Sequence, residues 1–191
     1  MKMNLTKQGI KKFHKKNPLI KEEDLQRVKP TQEWLSFVDH QGKVVGTGYL
    51  GKQNKGIGWV LAFEERPINR DFFEAAFAKA KAKRSAYYAS EETDAFRVVN
   101  GEGDHLGGLT IDLYREYAVF SWYNETLYQK KSVLIQAFQQ VFPEVKGAYE
   151  KIRFDSELPE SAAIYGEAAP EPLIIKENGV QYATYLNEGL M

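Results

Sequence analysis

The chain has 191 residues, 43% of them hydrophobic and 27% charged, with 26 basic and 26 acidic side chains that cancel. That length and composition describe one or two folded domains with a real core, and they exclude a disordered or membrane-spanning chain. With no cysteine, disulfides, thiolate zinc sites and a cysteine nucleophile are excluded within these residues. No apolar run approaches the length of a membrane span, and the lysine-rich start lacks a signal-peptide core, so a cytoplasmic protein without a membrane partner is expected. The balanced charge is unevenly placed. Lys2, Lys7, Lys11, Lys12, Lys15, Lys16, Lys21, Arg27 and Lys29 face only Glu22, Glu23 and Asp24 in the first 29 residues, whereas Ser156–Met191 holds one lysine, Lys176, among its acids. The basic end suits a phosphate-bearing partner.

In chain order, Met3–Thr6 reads as a short strand and Lys7–His14 as a helix with Ile10 and Phe13 on one side, stopped by Asn17-Pro18. Trp34–Val38 and Lys43–Leu50 flank Asp39-His40-Gln41-Gly42 as a hairpin, and Gly56–Phe63 adds a strand. Gly46–Gly51 has the letters of a dinucleotide-binding fingerprint, but the segment after it is another strand and not the helix that a pyrophosphate needs. Asp71-Phe72-Phe73-Glu74 reads as a capping box opening a helix with Phe73, Ala76, Phe77 and Ala80 on its apolar face, and Lys79, Lys81, Lys83 and Arg84 suit that helix's C-terminal dipole. A strand over Tyr117–Trp122, one helix from about Glu125 to Phe142, and strands over Gly147–Arg153 and Ala162–Gly166 follow. Leu173–Leu186 is a hairpin turned by Asn178-Gly179.

The most informative stretch is Phe96–Tyr114, two apolar strands around Asn100-Gly101-Glu102-Gly103-Asp104-His105-Leu106-Gly107-Gly108. Its glycines require a shaped loop, with Gly103 expected at positive φ, and its acids are expected to cap backbone amides. A metal reading of Glu102, Asp104 and His105 is disfavoured because side chains this close along a turn rarely converge on one ion. A hydrolase built on Asp104, His105 and Asp112 lacks a serine with a nucleophile signature.

Arg97-Val98-Val99-Asn100-Gly101-Glu102-Gly103-Asp104 followed by Leu109-Thr110-Ile111-Asp112-Leu113-Tyr114 resembles the central-domain signature of PUA-domain-containing, S-adenosylmethionine-dependent large-subunit rRNA cytosine-C5 methyltransferases. Gly107 stands at that family's usual proline, which implies a softer loop on the same path. Asn17-Pro18-Leu19-Ile20 keeps a proline and apolar pair but lacks the family's histidine and tryptophan, so no stacking contact to RNA carries over. The resemblance implies an α+β fold: a PUA-like RNA-binding β-barrel over 1–68, a central α/β layer over 69–170, and at 171–191 the opening hairpin of a Rossmann-like methyltransferase domain that is missing here. Asn187–Met191 resembles the start of a loop near the cofactor. On this reading the chain is the N-terminal half of an enzyme that uses S-adenosylmethionine on ribosomal RNA, binds no cofactor itself and is inactive alone; a homodimer belongs to the full-length proteins. The alternative is a free-standing, non-catalytic PUA-type RNA-binding protein. Lys11, Lys12, Lys15, Lys16 and Lys52 are the expected RNA contacts, and Arg97, Asn100, Glu102 and Asp104 form the loop expected to face a catalytic cleft. No catalytic, cofactor-binding or metal residue is assigned.

Overall fold

The computed structural model describes residues 1–187. The expected cofactor-proximal loop from Asn187 therefore lies almost wholly outside the described residues. Strands β1 (Lys2–Asn4), β2 (Leu19–Ile20), β3 (Leu35–Val38), β4 (Val44–Gln53) and β5 (Gly56–Ala62) make one sheet in the order β1-β3-β4-β5-β2. Only the β1–β3 pairing is parallel. Helix α1 (Lys7–His14) starts where the Thr6 hydroxyl accepts a hydrogen bond from the Gly9 amide. Its Phe13 meets Phe37 and Phe63 edge-on at 5.4 and 5.8 Å, in a core with Leu5, Ile20, Leu35 and Val60. The fingerprint-like glycines Gly46–Gly51 lie inside β4, as the strand reading requires.

A second sheet, ordered β10-β9-β8-β7-β6, contains β6 (Ala95–Asn100), β7 (Leu109–Tyr114), β8 (Tyr117–Trp122), β9 (Gly147–Ile152) and β10 (Ser161–Gly166). It is antiparallel except at β8–β9, where α4 (Glu125–Gln129) and α5 (Lys131–Val141) provide the crossover. Strand alternation sends Leu109, Ile111, Leu113, Phe120 and Trp122 toward α5 and toward α2 (Arg70–Lys83), whose Phe77 meets Phe138 at 5.7 Å. On the opposite face Tyr117, Val119 and Tyr149 are covered by Leu173 and Ile175 of the hairpin β11 (Leu173–Glu177) and β12 (Val180–Thr184), and by Leu186 just after it. Asn178 and Gly179 both have positive φ, as a type I′ turn demands.

The two sheets share one core. Tyr49, Trp59 and Leu61 of the first pack with Leu109 of the second and with Phe73 of α2 and Leu127 of α4. The fully buried Tyr49 hydroxyl donates to the Gly107 carbonyl at 2.6 Å and accepts from Asn124 Nδ2 at 2.8 Å, while Asn124 Oδ1 caps α4 by accepting from the Leu127 amide at 2.9 Å. Burial pushes the Tyr49 phenol far above its ordinary pKa, so it stays a neutral donor.

Several local expectations are corrected. Asn69, whose Oδ1 accepts from the Phe72 amide at 3.0 Å, caps α2, and Asp71 lies within the first turn; the capping box is not formed. The helix expected over Glu125–Phe142 is two, interrupted at Lys130. No breaker marks the break: the first turn is pinned at the Tyr49 junction, while the second must pack on α2 and bring Lys131 to Glu150. Gly103 has ordinary φ and open space around it; the positive φ values fall at Gly101, His105 and Gly108. Gly107 is more than a softened turn, because a Cβ there would sit 2.3 Å from the Trp59 ring. A side chain at this position would require the Trp59 ring to shift.

Tyr49→Phe keeps the ring and removes the hydroxyl, leaving the Gly107 carbonyl and Asn124 amide buried without that partner. Equilibrium urea unfolding is expected to show a loss of about 1–3 kcal/mol, and an unchanged midpoint would contradict the junction.

Candidate nucleic-acid interface

The lysines at the end of α1 do not act alike. Lys12 bonds the buried Asp24 carboxylate and donates to the Leu19 carbonyl at 3.0 Å, so its charge is committed inside the fold. Lys11 and Lys15 are exposed, and Lys16, at positive φ, places its ammonium 5.1 Å from the Phe63 ring. Lys52 is exposed at the other end of β4, eight residues beyond Val44 and therefore roughly 26 Å from the Lys16 end at strand rise. It borders a separate groove with Pro30, Gln32 and Thr126. The five residues thus divide into an exposed α1 group, a structural ion pair and a distant lysine.

Two further grooves meet at Phe63 and Glu64. One, about 510 Å³, runs between α1 and the start of β4 with Lys16 and Lys43 at its edge. The other, about 270 Å³, lies between the first sheet and α2 and carries Arg66, Lys79, Lys83 and His105. Together they set five lysines and arginines against Glu64, Glu65 and Asp104, the last already bonded to Arg84. Lys79 is exposed, and Lys83 only grazes Asp104 at 3.4 Å. Lys81 and Lys83 lie in the last turn of α2, as the dipole reading expects, and the packing of α2 beside β5 also sets Lys79 and Lys83 along the groove next to the α1 cations.

The four residues expected to face one cleft point to three places. Arg97 lies on the open face of the second sheet, where it donates to Asp112 at 2.8 and 3.2 Å. Asn100 and Glu102 border a shallow pocket with Gln53 and Tyr123. Asp104 is buried on the α2 side, held by Arg84 at 2.6 and 2.7 Å and by the Asn100 amide at 2.7 Å. The expectation that an acid of this loop caps an amide is met there. Glu102 and His105 are exposed, and among the described residues no cluster of three or more histidine, aspartate or glutamate side chains is placed to hold a metal ion.

Burial alone would raise the Asp104 pKa, but the Arg84 hydrogen bonds, the Asn100 amide and the charges of Arg84 and Lys83 outweigh it and hold the carboxyl below its ordinary range. A folded-state pKa below the unfolded one gives stability that is complete above about pH 4 and is lost as pH falls through the depressed value. Asp104→Asn is expected to cost about 3 kcal/mol at neutral pH by leaving Arg84 unpaired. Thermal melts should also show that the variant loses part of the wild type's acid sensitivity, and equal slopes below pH 4 would refute the pairing.

A five-stranded sheet with a basic helix is thus joined to a second sheet layered with helices. Residues 3–63 match the PUA-like domain. The chain is homologous to large-subunit rRNA methyltransferases: it is 37% identical to the Bacillus subtilis protein named "Putative ribosomal RNA large subunit methyltransferase YwbD" over 99% of this chain and 50% of that protein. It is 31% identical to ribosomal RNA large subunit methyltransferase I of Shewanella amazonensis over 82% of this chain and 41% of the relative. The crystal structure of SMU.776, titled "a putative methyltransferase complexed with SAH", superposes with a TM-score of 0.93 at 38% identity, covering 100% of this chain and 49% of that one. The chain spans about half the length of the relatives it matches.

Of the glycine-rich stretches, Gly46–Gly51 is inside β4, and Gly101–Gly108 begins with a single 3-10 turn over Gly101–Asp104 and leads into β7, so neither opens the α-helix that a dinucleotide fingerprint requires. No helix among the described residues is long and apolar enough to cross a membrane.

Proposed function

We propose that this chain is the RNA-engaging portion of an S-adenosylmethionine-dependent methyltransferase acting on cytosine C5 in large-subunit ribosomal RNA, with the donor-binding domain outside these residues. The proposal divides it into an RNA-binding domain over 1–68, a central domain over 69–170 and the first hairpin of the catalytic domain from 171. The observation that carries the reading is the run of exposed cations from the end of α1 to α2, Lys15, Lys16, Lys43, Arg66, Lys79 and Lys83, on the two units joined at Tyr49. Lysines dominate it, so it supplies phosphate contacts and position, while base choice falls to other groups. The similarity to rRNA methyltransferases continues through the central sheet and the hairpin, far past residues 3–63, which favours an enzyme portion over a free-standing PUA module. C5 transfer normally employs a cysteine nucleophile, which this sequence does not contain; in this proposal that group also belongs to the catalytic domain.

Replacing Lys15, Lys16, Lys79 and Lys83 together by alanine is expected to weaken binding to a large-subunit rRNA fragment and to make log K against log salt shallower by about three units. Replacing Lys12 by alanine should instead lower stability. A salt slope unchanged in the fourfold variant would sink this placement of the RNA surface.

A further inference from the structure

The open face of the second sheet is only half covered. Strand alternation places Asp112, Val119 and Tyr149 in one cross-strand row and Thr110, Ser121 and Lys151 in the next. The hairpin closes over Tyr117, Val119 and Tyr149, where the side chains are apolar or aromatic. Past the hairpin the face turns polar. A cavity of about 270 Å³ there is bordered by Arg97, Asp112, Ser121, Tyr123, Lys151 and Arg153.

The polar residues of this row are buried. Lys151 is 3% exposed, Ser121 5% and Thr110 8%. Thr110 borders the neighbouring pocket with Asn100 and Tyr123, and its Oγ1 has no hydrogen-bond partner among the described residues. The Lys151 ammonium has no carboxylate in salt-bridge range among them either, since Asp112, the nearest acid influence on it, is already bonded by Arg97. Elsewhere the protein satisfies its buried charges: Asp24 has Lys12, Asp104 has Arg84 and Glu150 has Lys131. An uncompensated buried lysine costs stability, and a fold that keeps one at the bottom of an open cavity has a reason outside its own packing. Desolvation and the neighbouring Arg153 disfavour the Lys151 charge, with Asp112 opposing them weakly; an anion in the cavity would reverse that balance.

We propose that this cavity is a phosphate-binding site, with Lys151 at its floor, Ser121 and Tyr123 as hydroxyl donors and Arg153 at its mouth, and that its occupant is a phosphate group of a polynucleotide chain. Three cations against one already-paired carboxylate leave an excess positive charge. Lysine binds phosphate as a point charge, and the exposed Arg153 adds a planar fork without burying it. The site lies on the sheet face opposite α2 and is separate from the cation run on α1 and α2, so its test does not depend on that surface.

Inorganic phosphate titrated into the isotopically labelled chain should shift the backbone amides of Ser121, Lys151 and Arg153 saturably. Lys151→Met should weaken that binding at least about tenfold while melting no lower than wild type, because it removes a buried charge and keeps the stem. Arg153→Gln, at an exposed position, is a second variant that leaves the core alone and should weaken binding less. The dinucleotide UpU, whose only phosphate is the internal diester, distinguishes the sources: shifts of the same amides at lower concentration than with inorganic phosphate support a chain phosphate. A site that takes inorganic phosphate but not UpU overturns the polynucleotide assignment. Undiminished phosphate binding in Lys151→Met, or shifts confined to Lys15, Lys16 and Lys79, overturns the site.

Discussion

A single tyrosine hydroxyl stands between two sheets that could otherwise have been separate domains. Tyr49 comes from β4 of the first sheet, and its two hydrogen-bond partners, Gly107 and Asn124, belong to the loop before β7 and the cap of α4. Since all three are buried, each bond must be made or its groups pay full desolvation, and that fixes the angle between the sheets. Gly107 suits the same junction, because the Trp59 ring occupies the space a side chain would need. The exposed cations of α1 and α2 thereby sit on two joined units.

The charged residues divide by what they touch. Lys12, Arg84 and Lys131 each meet a carboxylate that is itself buried, and Glu150 also accepts from Trp122 Nε1 at 3.1 Å. These pairs hold α1 to the segment after β2, α2 to the loop after β6, and α5 to β9. Of the remaining cations, Lys83 reaches the buried Asp104 only at 3.4 Å, behind Arg84, and the others on the α1–α2 surface and around Lys151 lack a buried acidic partner. A count of basic residues treats both kinds alike, and only the second kind is free for an anion.

Elements governed by local rules were legible before the structure. Pro18 after an amphipathic run, Asn178-Gly179 between alternating strands and the period-two pattern of Leu109, Ile111 and Leu113 each express a constraint within a few residues. Misread features depend on contacts distant in sequence. Gly103 looked like the strained position because it stands between two acids, yet Gly101, His105 and Gly108 carry the positive φ. Lys12 looked like Lys11 and Lys15 until Asp24 folded beneath it. Lys151 drew no attention, since a lysine in a strand carries no signal until its neighbours across β8 and β7 are known.

The central claim is that the two sheets are one cooperative body joined at Tyr49, and native-state hydrogen exchange tests it most directly. The slowest amides of β4 and β5 should exchange with the same opening free energy and the same denaturant dependence as those of β7 and β8. An opening that releases the amides of β4 and β5 while those of β7, β8 and β9 stay protected would contradict the account.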